Sequence, residues 1–378
     1  MNILIVAPVF YPDKSVGAAR MTSLANYLAG RDITVHVLTN RKKEAAINKR
    51  FMYHFVDEIK TGCFLTEFQE NSKRYIRGFT RIAEQYHIDC VIISGGPFYT
   101  FPITGQAKKR KIKCILDFRD PWVFDVREDY YTLKNLIREI YYLPKERMAV
   151  ANADAVTTAT TGWGEKFRKY YPLRKKKFHV IENGYDDAQL QGIEKAPMAK
   201  KKKLTIGVFG KLFYYSSFYS NVFVKELSNF STDVDVLQIG DKEEQADSII
   251  ERNGLDKNVI SSTGFMPYQK GISLLMNADC FLIIDDRKDA IGTKIYDYIF
   301  IGKPIFFVGP KDSYFSRFIN KYKLGYSCEN ADEIDHAMRH LIAGDSDFTF
   351  SDQLKQSFSR SRQNTKWFQL IAGLAEKH

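Results

Sequence analysis

Residues 289–304 read DAIGTKIYDYIFIGKP, with two carboxylates, Asp289 and Asp297, on either side of Gly292, Thr293 and Lys294. The apolar run behind them has the composition of a short buried helix, with Thr293 at its start and Gly302 at its stop. Backbone N–H groups at a helix start, its dipole and a lysine side chain all favour an anion. The carboxylates have a different task. Asp297, about one turn into the helix, can accept from a neutral hydroxyl such as that of a ribose, and Asp289 can reach another part of the same ligand. A phosphate with a sugar on either side fits these groups together.

Further stretches have the same character. TIGVFGKL (205–212) places Gly207, Gly210 and Lys211 at the end of an apolar run, where glycine lets a diphosphate approach the backbone and lysine neutralises it. The turn at Gly240 and the stretch TGFMPYQ (263–269) follow the next two runs, and Gly264–Pro267, with Met266 among them, can line a pocket for a flat base. In the first half, FYPDKSVGAAR brings Gly17 and Arg20 to a helix start. SGGPFY presents Gly95 and Gly96, and DFRDPW presents Asp117, Arg119, Asp120 and Trp122. Each of these groups follows a strand-like run and is expected to line a cleft.

Other chemistries lack their signatures. No G-x-G-x-x-G follows a first strand and no G-x-x-x-x-G-K-[ST] occurs, against a dinucleotide fold and a P-loop. Asp233 and Asp235 form a D-x-D, but it leads into a strand rather than out of one. The seven histidines show no metal-ligand spacing, and His36, alternating within a strand, reads as structural. No metal site is expected.

The elements that must position these groups alternate in type. Strand-like runs cover 3–9, 34–39, 90–94, 113–118, 155–159 and 178–182, then 204–209, 234–239, 259–262, 280–285 and 304–308. Their near-continuous hydrophobicity is that of strands covered on both faces, and amphipathic stretches between them suit crossover helices. Met21, Leu24, Ala25 and Leu28 share one helical face before Gly30, and Trp367, Leu370, Ile371 and Leu374 repeat at helical spacing. Residues 191–203, with a proline and four consecutive lysines, read as a linker between two α/β units. Ligands of such sheets sit beyond the strands' carboxyl ends, so a cleft between the units is the expected site.

The bulk numbers agree. A chain of 378 residues exceeds one ordinary core, and 44% hydrophobic with 27% charged residues suits a globular protein. Five cysteines without a C-x-x-C pair argue for a reducing cytoplasm, the start NILIVAPV lacks a basic n-region, and no run approaches the ~20 apolar residues of a membrane span. The net charge of +11 is uneven: residues 1–203 hold 36 Lys and Arg against 22 Asp and Glu, a net of +14. That half suits an anionic partner, and YYTLKNLIREIYYL (130–143) interleaves apolar and basic residues as a helix at a membrane surface does. Charge without a recognised motif does not make a nucleic-acid-binding protein.

In this order the motifs resemble the retaining, nucleotide-sugar-dependent glycosyltransferases of family 4, with the GT-B fold, of the kind that assembles bacterial polysaccharide. The likeness spans nearly the whole chain, from FYPD…GAAR through DFRDPW, ANADAVTTAT, HVIENGYD and the GKL turn to TKIYDYIFIGKPI. The family's E-x7-E signature stands here as Asp289-x7-Asp297. The resemblance implies an α/β fold of two Rossmann-like domains with parallel sheets facing across a cleft: an acceptor domain over 1–190, the linker 191–203, and a donor domain over 204–351. The segment 352–378 would pack back on the first domain.

The donor implied is a UDP-, GDP- or ADP-sugar, with no cofactor and no metal. Asp297 would hold the ribose and Asp289 the transferred sugar. Lys211, Lys294 and the amides of Gly292 and Thr293 would neutralise the diphosphate, beside the turns at Gly210 and Gly240. Met266 would receive the base and Gly17 would face the β-phosphate. Asp120 joins Asp289, Lys211 and Lys294 as a catalytic candidate. Arg20, Gly95, Gly96, Arg119 and Trp122 would face a glycan or polyprenyl-diphosphate-linked acceptor, at the inner face of a membrane. The family retains anomeric configuration, commonly pictured as front-face attack without a dedicated base.

Four departures are visible, one being Ser94-Gly95-Gly96 where the family commonly has a histidine in the first-domain cleft. Both acids are one methylene short, Val16 replaces the first of a usual glycine pair, and Tyr214, Tyr215, Ser216 and Ser217 stand where a second basic residue often follows the GK turn. A non-catalytic nucleotide-sugar-binding partner subunit is therefore the alternative.

Overall fold

The computed structural model describes residues 1–13, 15–40, 50–123, 133–198, 202–345 and 347–376. The chain divides into two compact units, Met1–Asn183 with Arg360–His378, and Gly184–Ser359.

The first unit holds seven parallel strands: β1 (Asn2–Val6), β2 (Thr34–Asn40), β3 (Met52–Val56), β4 (Cys90–Ser94), β5 (Lys113–Phe118), β6 (Ala155–Thr158) and β7 (Phe178–Val180), in the order β3-β2-β1-β4-β5-β6-β7. Ile3 pairs with Val35 on one side and Cys90 on the other. The strand order reverses between β1 and β4. The helix Val16–Ala29 buries the expected face of Met21, Leu24, Ala25 and Leu28 and ends at Gly30. Beside it the helix Arg360–Ala375 inserts Trp367 and Ile371 into the same core.

The second unit holds six parallel strands: β8 (Leu204–Phe209), β9 (Val234–Ile239), β10 (Ile260–Ser262), β11 (Cys280–Ile284), β12 (Ile305–Val308) and β13 (Gly325–Cys328), in the order β10-β9-β8-β11-β12-β13. Here the order reverses between β8 and β11, which puts a crevice at their carboxyl ends. All five residues of β11 are buried, and each such aliphatic or aromatic side chain contributes about 1.5–3 kcal/mol. The next helix, Lys294–Ile301, stops at Gly302 in the left-handed region.

Three expectations shift. The boundary between units falls at 183/184 rather than 190, because the presumed linker is bonded into the second unit. Ser273 donates to the Glu194 carbonyl, Asn277 to that of Ala196, and Gln269 to that of Gln189. Of the segment 352–378, the helix Asp352–Ser357 belongs to the second unit, and the first unit resumes only at Arg360. Gly207 serves packing, since a Cβ there would lie 2.7 Å from Ala278 and 2.8 Å from Leu275.

The expected basic–apolar helix is Leu133–Asn152, its first residues, 130–132, lying outside the described ones. Its core face carries Tyr142, Glu146, Ala149 and Val150. On the opposite side Leu136, Ile137, Ile140 and Met148 are exposed, which at ~100° per residue forms one stripe.

Candidate functional site

In the second unit the crevice is flanked by the turn after β8, which carries Gly210 and Lys211, and by the loop after β11, which carries Asp285 to Thr293. Lys294, at the start of the next helix, crosses it. Its Nζ donates to the Lys211 carbonyl at 2.9 Å. Loss of hydration pulls the Lys294 ammonium down to about 8, against the pull of Asp285 and Glu243, and Arg287 adds to the lowering by repulsion. Among the described residues the backbone N–H groups of Gly292, Thr293 and Lys294 show no hydrogen bond. Thr293 is the N-cap by position, without a side-chain cap bond.

A buried carboxylate fixes the opposite wall. Glu243 accepts from the backbone N–H of Leu212 at 2.6 Å and of Phe213 at 3.3 Å, and its other oxygen accepts from Gln238 Nε2 at 3.1 Å. Gln238 also donates to the Gly210 carbonyl. Gly210 and Gly240 have positive φ, and a Cβ on Gly240 would stand 3.0 Å from the Gly210 backbone. The two glycine turns therefore touch, and neither admits a side chain without strain.

Asp297 lies just below, buried in the first turn of its helix, where its Oδ1 accepts from the Tyr268 hydroxyl at 2.5 Å. The Tyr268 ring meets Phe209 edge-on at the end of β8. Asp289 is half-buried in the loop leading to Gly292. Met266 packs partly on the core, whereas Phe265 is 77% exposed. The Phe265 N–H is tied to Asp241 Oδ1 at 2.9 Å beside the Gly240 turn. The Lys211 side chain itself is exposed.

The first unit uses its residues differently. Arg20 was expected to face an acceptor, but it is only 4% exposed and forks onto Asp117 at 2.9 and 3.0 Å. It also donates to the Glu182 carbonyl and lies 5.4 Å from the Trp367 ring centre. Arg20 is a buried structural ion. Arg119 donates to the carbonyls of Gly95 and Gly96, and a Cβ on Gly17 would overlap its guanidinium at 1.4 Å. The glycine at 17 is thus required by Arg119, a reason other than the phosphate contact expected there. Trp122, also expected at the acceptor, stacks on Phe98 and Phe68 within an aromatic cluster. Asp120 is exposed on the same loop.

The sequence model of Glycosyltransferase Family 4 matches residues 17–189. The chain has the GT-B fold, and its likeness to family 4 glycosyltransferases covers residues 17–189. Of solved structures, a glycosyltransferase from Rickettsia africae ESF-5 is 15% identical, with a TM-score of 0.73 over 100% of this chain and 99% of that one. HepE from Anabaena, in complex with UDP and glucose, is 14% identical at a TM-score of 0.65 over 99% of this chain and 100% of its own. A UDP-GlcNAc 2-epimerase from Neisseria meningitidis bound to UDP-GlcNAc reaches 13% and 0.63 over 99% and 100%. No curated protein matches the chain in sequence.

Within this GT-B chain three site residues escaped sequence reasoning. Arg287 chelates Asp285 through Nε and Nη2, at 2.9 and 2.6 Å, and its guanidinium lies 4.0 Å from the Tyr215 ring centre. Glu243 and Tyr268 complete the set. A charged cluster directly after β11, D-D-R-K-D, was the available signal for Arg287. Nothing local marks Glu243 or Tyr268, whose partners come from other strands and helices.

Proposed function

We propose that the chain transfers a sugar, with retention, from a nucleotide diphosphate sugar to a glycan or lipid-linked acceptor, and that residues 184–359 hold the donor. The observation that carries this reading is Lys294 reaching the Lys211 carbonyl across the reversal of strand order, beside two abutting glycine turns. Cationic side chains and unengaged amides at a helix start stabilise charge developing on a leaving diphosphate, and they do so without a metal ion. Asp297, oriented by Tyr268, would receive the ribose hydroxyls, and Asp289 the transferred sugar. The complex of HepE with UDP and glucose supports UDP as the first donor to try. The family 4 match favours transfer over the epimerisation that another GT-B neighbour is named for.

The acceptor end of the reading rests on the stripe Leu136, Ile137, Ile140 and Met148. Residues 136–177 hold ten lysines and arginines against four acids, so an anionic bilayer complements this face in both hydrophobicity and charge. Among the described residues no helix is long and apolar enough to cross a membrane, and surface attachment is what the stripe offers. The setting would be the cytoplasmic face, in assembly of cell-surface polysaccharide.

The test is product mass spectrometry with UDP-, GDP- and ADP-sugars and a lipid-diphosphate acceptor, in chelator. A new glycosidic product is expected, and neither product nor donor hydrolysis at millimolar donor would sink the proposal. A second reading, a donor-binding subunit without turnover, is favoured by the engagement of the shortened Asp297 with Tyr268. Donor affinity without turnover in the native chain would favour it; a rate lost in Asp289→Asn would exclude it.

A further inference from the structure

The helix that carries Tyr268 spans Tyr268–Leu275, and Pro267 at its N-cap makes no side-chain cap bond. An uncapped start frays unless something else holds it. The inner face is packed: Gly271, Ile272 and Leu275 are buried, and a Cβ on Gly271 would stand 2.7 Å from the Phe209 ring. The outer face is held by hydrogen bonds. Gln269, Ser273 and Asn277 recur every four residues, which at ~100° per residue makes one stripe. Each donates to a backbone carbonyl of the segment 189–196. Gln269 Nε2 reaches Gln189 at 2.7 Å, Ser273 Oγ reaches Glu194 at 2.5 Å, and Asn277 Nδ2 reaches Ala196 at 3.0 Å. The Ala196 N–H returns a bond to the Ser273 carbonyl at 3.0 Å. That segment is itself fastened. Leu190 is buried in the core, and Gln189 donates through its N–H and Nε2 to the Asp186 carboxylate at 3.1 and 2.6 Å.

We propose that the segment 189–196 is a splint that positions Tyr268, and through it the Asp297 carboxylate, for the donor's ribose. The inference rests on the donor-binding reading above and gives Gln269 and Ser273 a positioning role in it. Gln269 directly follows Tyr268, so its bond to Gln189 secures the first turn where the cap is lacking. The Tyr268 hydroxyl meets Asp297 Oδ1 at 2.5 Å and its ring meets Phe209 edge-on, so a shift of the helix start passes directly to the carboxylate. The far end of the helix is tied independently, because Lys303 Nζ donates to the carbonyls of Met276 and Ala278. Loss of the Gln269 and Ser273 bonds therefore frees the Tyr268 end and leaves the other end in place. A carboxylate that accepts from the paired hydroxyls of a ribose tolerates a displacement of only about 0.5 Å, and its supporting shell sets that precision.

Calorimetry on the full chain tests this, with whichever of UDP, GDP and ADP binds tightest measured against its 2′-deoxy form. The quantity read is the ratio of the two affinities, because only the ribonucleotide offers Asp297 both hydroxyls. Tyr268→Phe removes the hydroxyl bond to Asp297 and sets the scale, with a fall in the ratio of ~3–10-fold expected. Gln269→Ala combined with Ser273→Ala leaves Tyr268 and Asp297 intact, and the ratio should still fall about threefold or more. Gln269→Ala alone, which keeps the Ser273 and Asn277 bonds, serves if the double variant does not fold. A ratio that stays at the native value, through equal losses for both nucleotides or through none, would make the splint a brace for stability only. That result overturns the inference and leaves donor binding standing. A native chain that binds the diphosphate without preferring it over the 2′-deoxy form would also overturn the inference. A native chain that binds none of the three diphosphates would remove the donor-binding reading as well.

Discussion

The two units fold the same way at the reversal of strand order and fill it with opposite electrostatics. In the first, Arg119 turns inward and donates to the carbonyls of Gly95 and Gly96, against a Gly17 that leaves it room. In the second, Lys294 takes one carbonyl, that of Lys211, and stands near Arg287 and unengaged helix-start amides. Arginine in the first crevice is consumed by the protein's own backbone, while the cations of the second are crowded and poorly hydrated. Equivalent topology therefore does not make equivalent sites. What distinguishes them is how positive charge is answered: by two glycine carbonyls in the first, and by one carbonyl and a buried carboxylate, Asp285, in the second.

Breaking each crevice in turn gives the sharpest contrast. Arg20→Ala strips a buried carboxylate, Asp117, of its partner and should cost the first unit about 3–5 kcal/mol in urea unfolding, without a selective loss of nucleotide affinity. Lys294→Ala should do the reverse, lowering UDP affinity ~10–100-fold by calorimetry while the melting temperature holds or rises. A stability loss from Lys294→Ala comparable with that from Arg20→Ala would collapse the distinction. Gly17→Ala should destabilise by about 1–3 kcal/mol because its Cβ meets Arg119, and most of that cost should vanish in an Arg119→Ala background. Additivity of the two changes would mean that Arg119 is not what the glycine accommodates.

Two smaller effects depend on pH. Lys294 has a native pKa of about 8, below its ordinary 10.5, so the folded state releases that proton first. Stability should therefore rise as pH climbs through that window, while UDP affinity declines over the same range as the ammonium discharges. Lys294→Arg, charged throughout, should lose this decline. In the first unit, burial lifts the Glu146 carboxyl to about 7 from an ordinary 4.5. The folded state then holds a proton that the unfolded chain has released, and stability falls as pH rises through that interval. Glu146→Gln should flatten this slope in thermal melts, with nucleotide binding untouched.

Much of this was readable from one dimension. The runs LTIGVF and VDVLQI became β8 and β9 at the expected bounds, because strands covered on both faces write continuous apolar segments. The expected strands ended a residue or more too late at β1, β6, β7 and β11. MYHFV and GYSC were missed altogether: β3 and β13 are sheet edges whose residues are mostly half-buried, so their composition carries little hydrophobic signal. That Gly210, Lys211, Gly292 and Lys294 would flank one crevice was legible because strand end, glycine and lysine adjoin in sequence. Arg20 misled for the opposite reason. Its partners, Asp117 and Glu182, come from β5 and the segment after β7, and only the fold shows that its charge is already answered. Trp122 misled likewise, since Phe68 and Phe98 approach it from distant segments.

The return of the Arg360–Ala375 helix to the first unit has a consequence for synthesis. Residues 184–359 emerge from the ribosome as an uninterrupted set and can condense while translation continues. The earlier sheet must wait with an open seam at Ile181 and the Val16–Ala29 helix until Trp367 arrives to close it. A nascent chain arrested before that tryptophan should present a finished second unit beside a protease-sensitive first one.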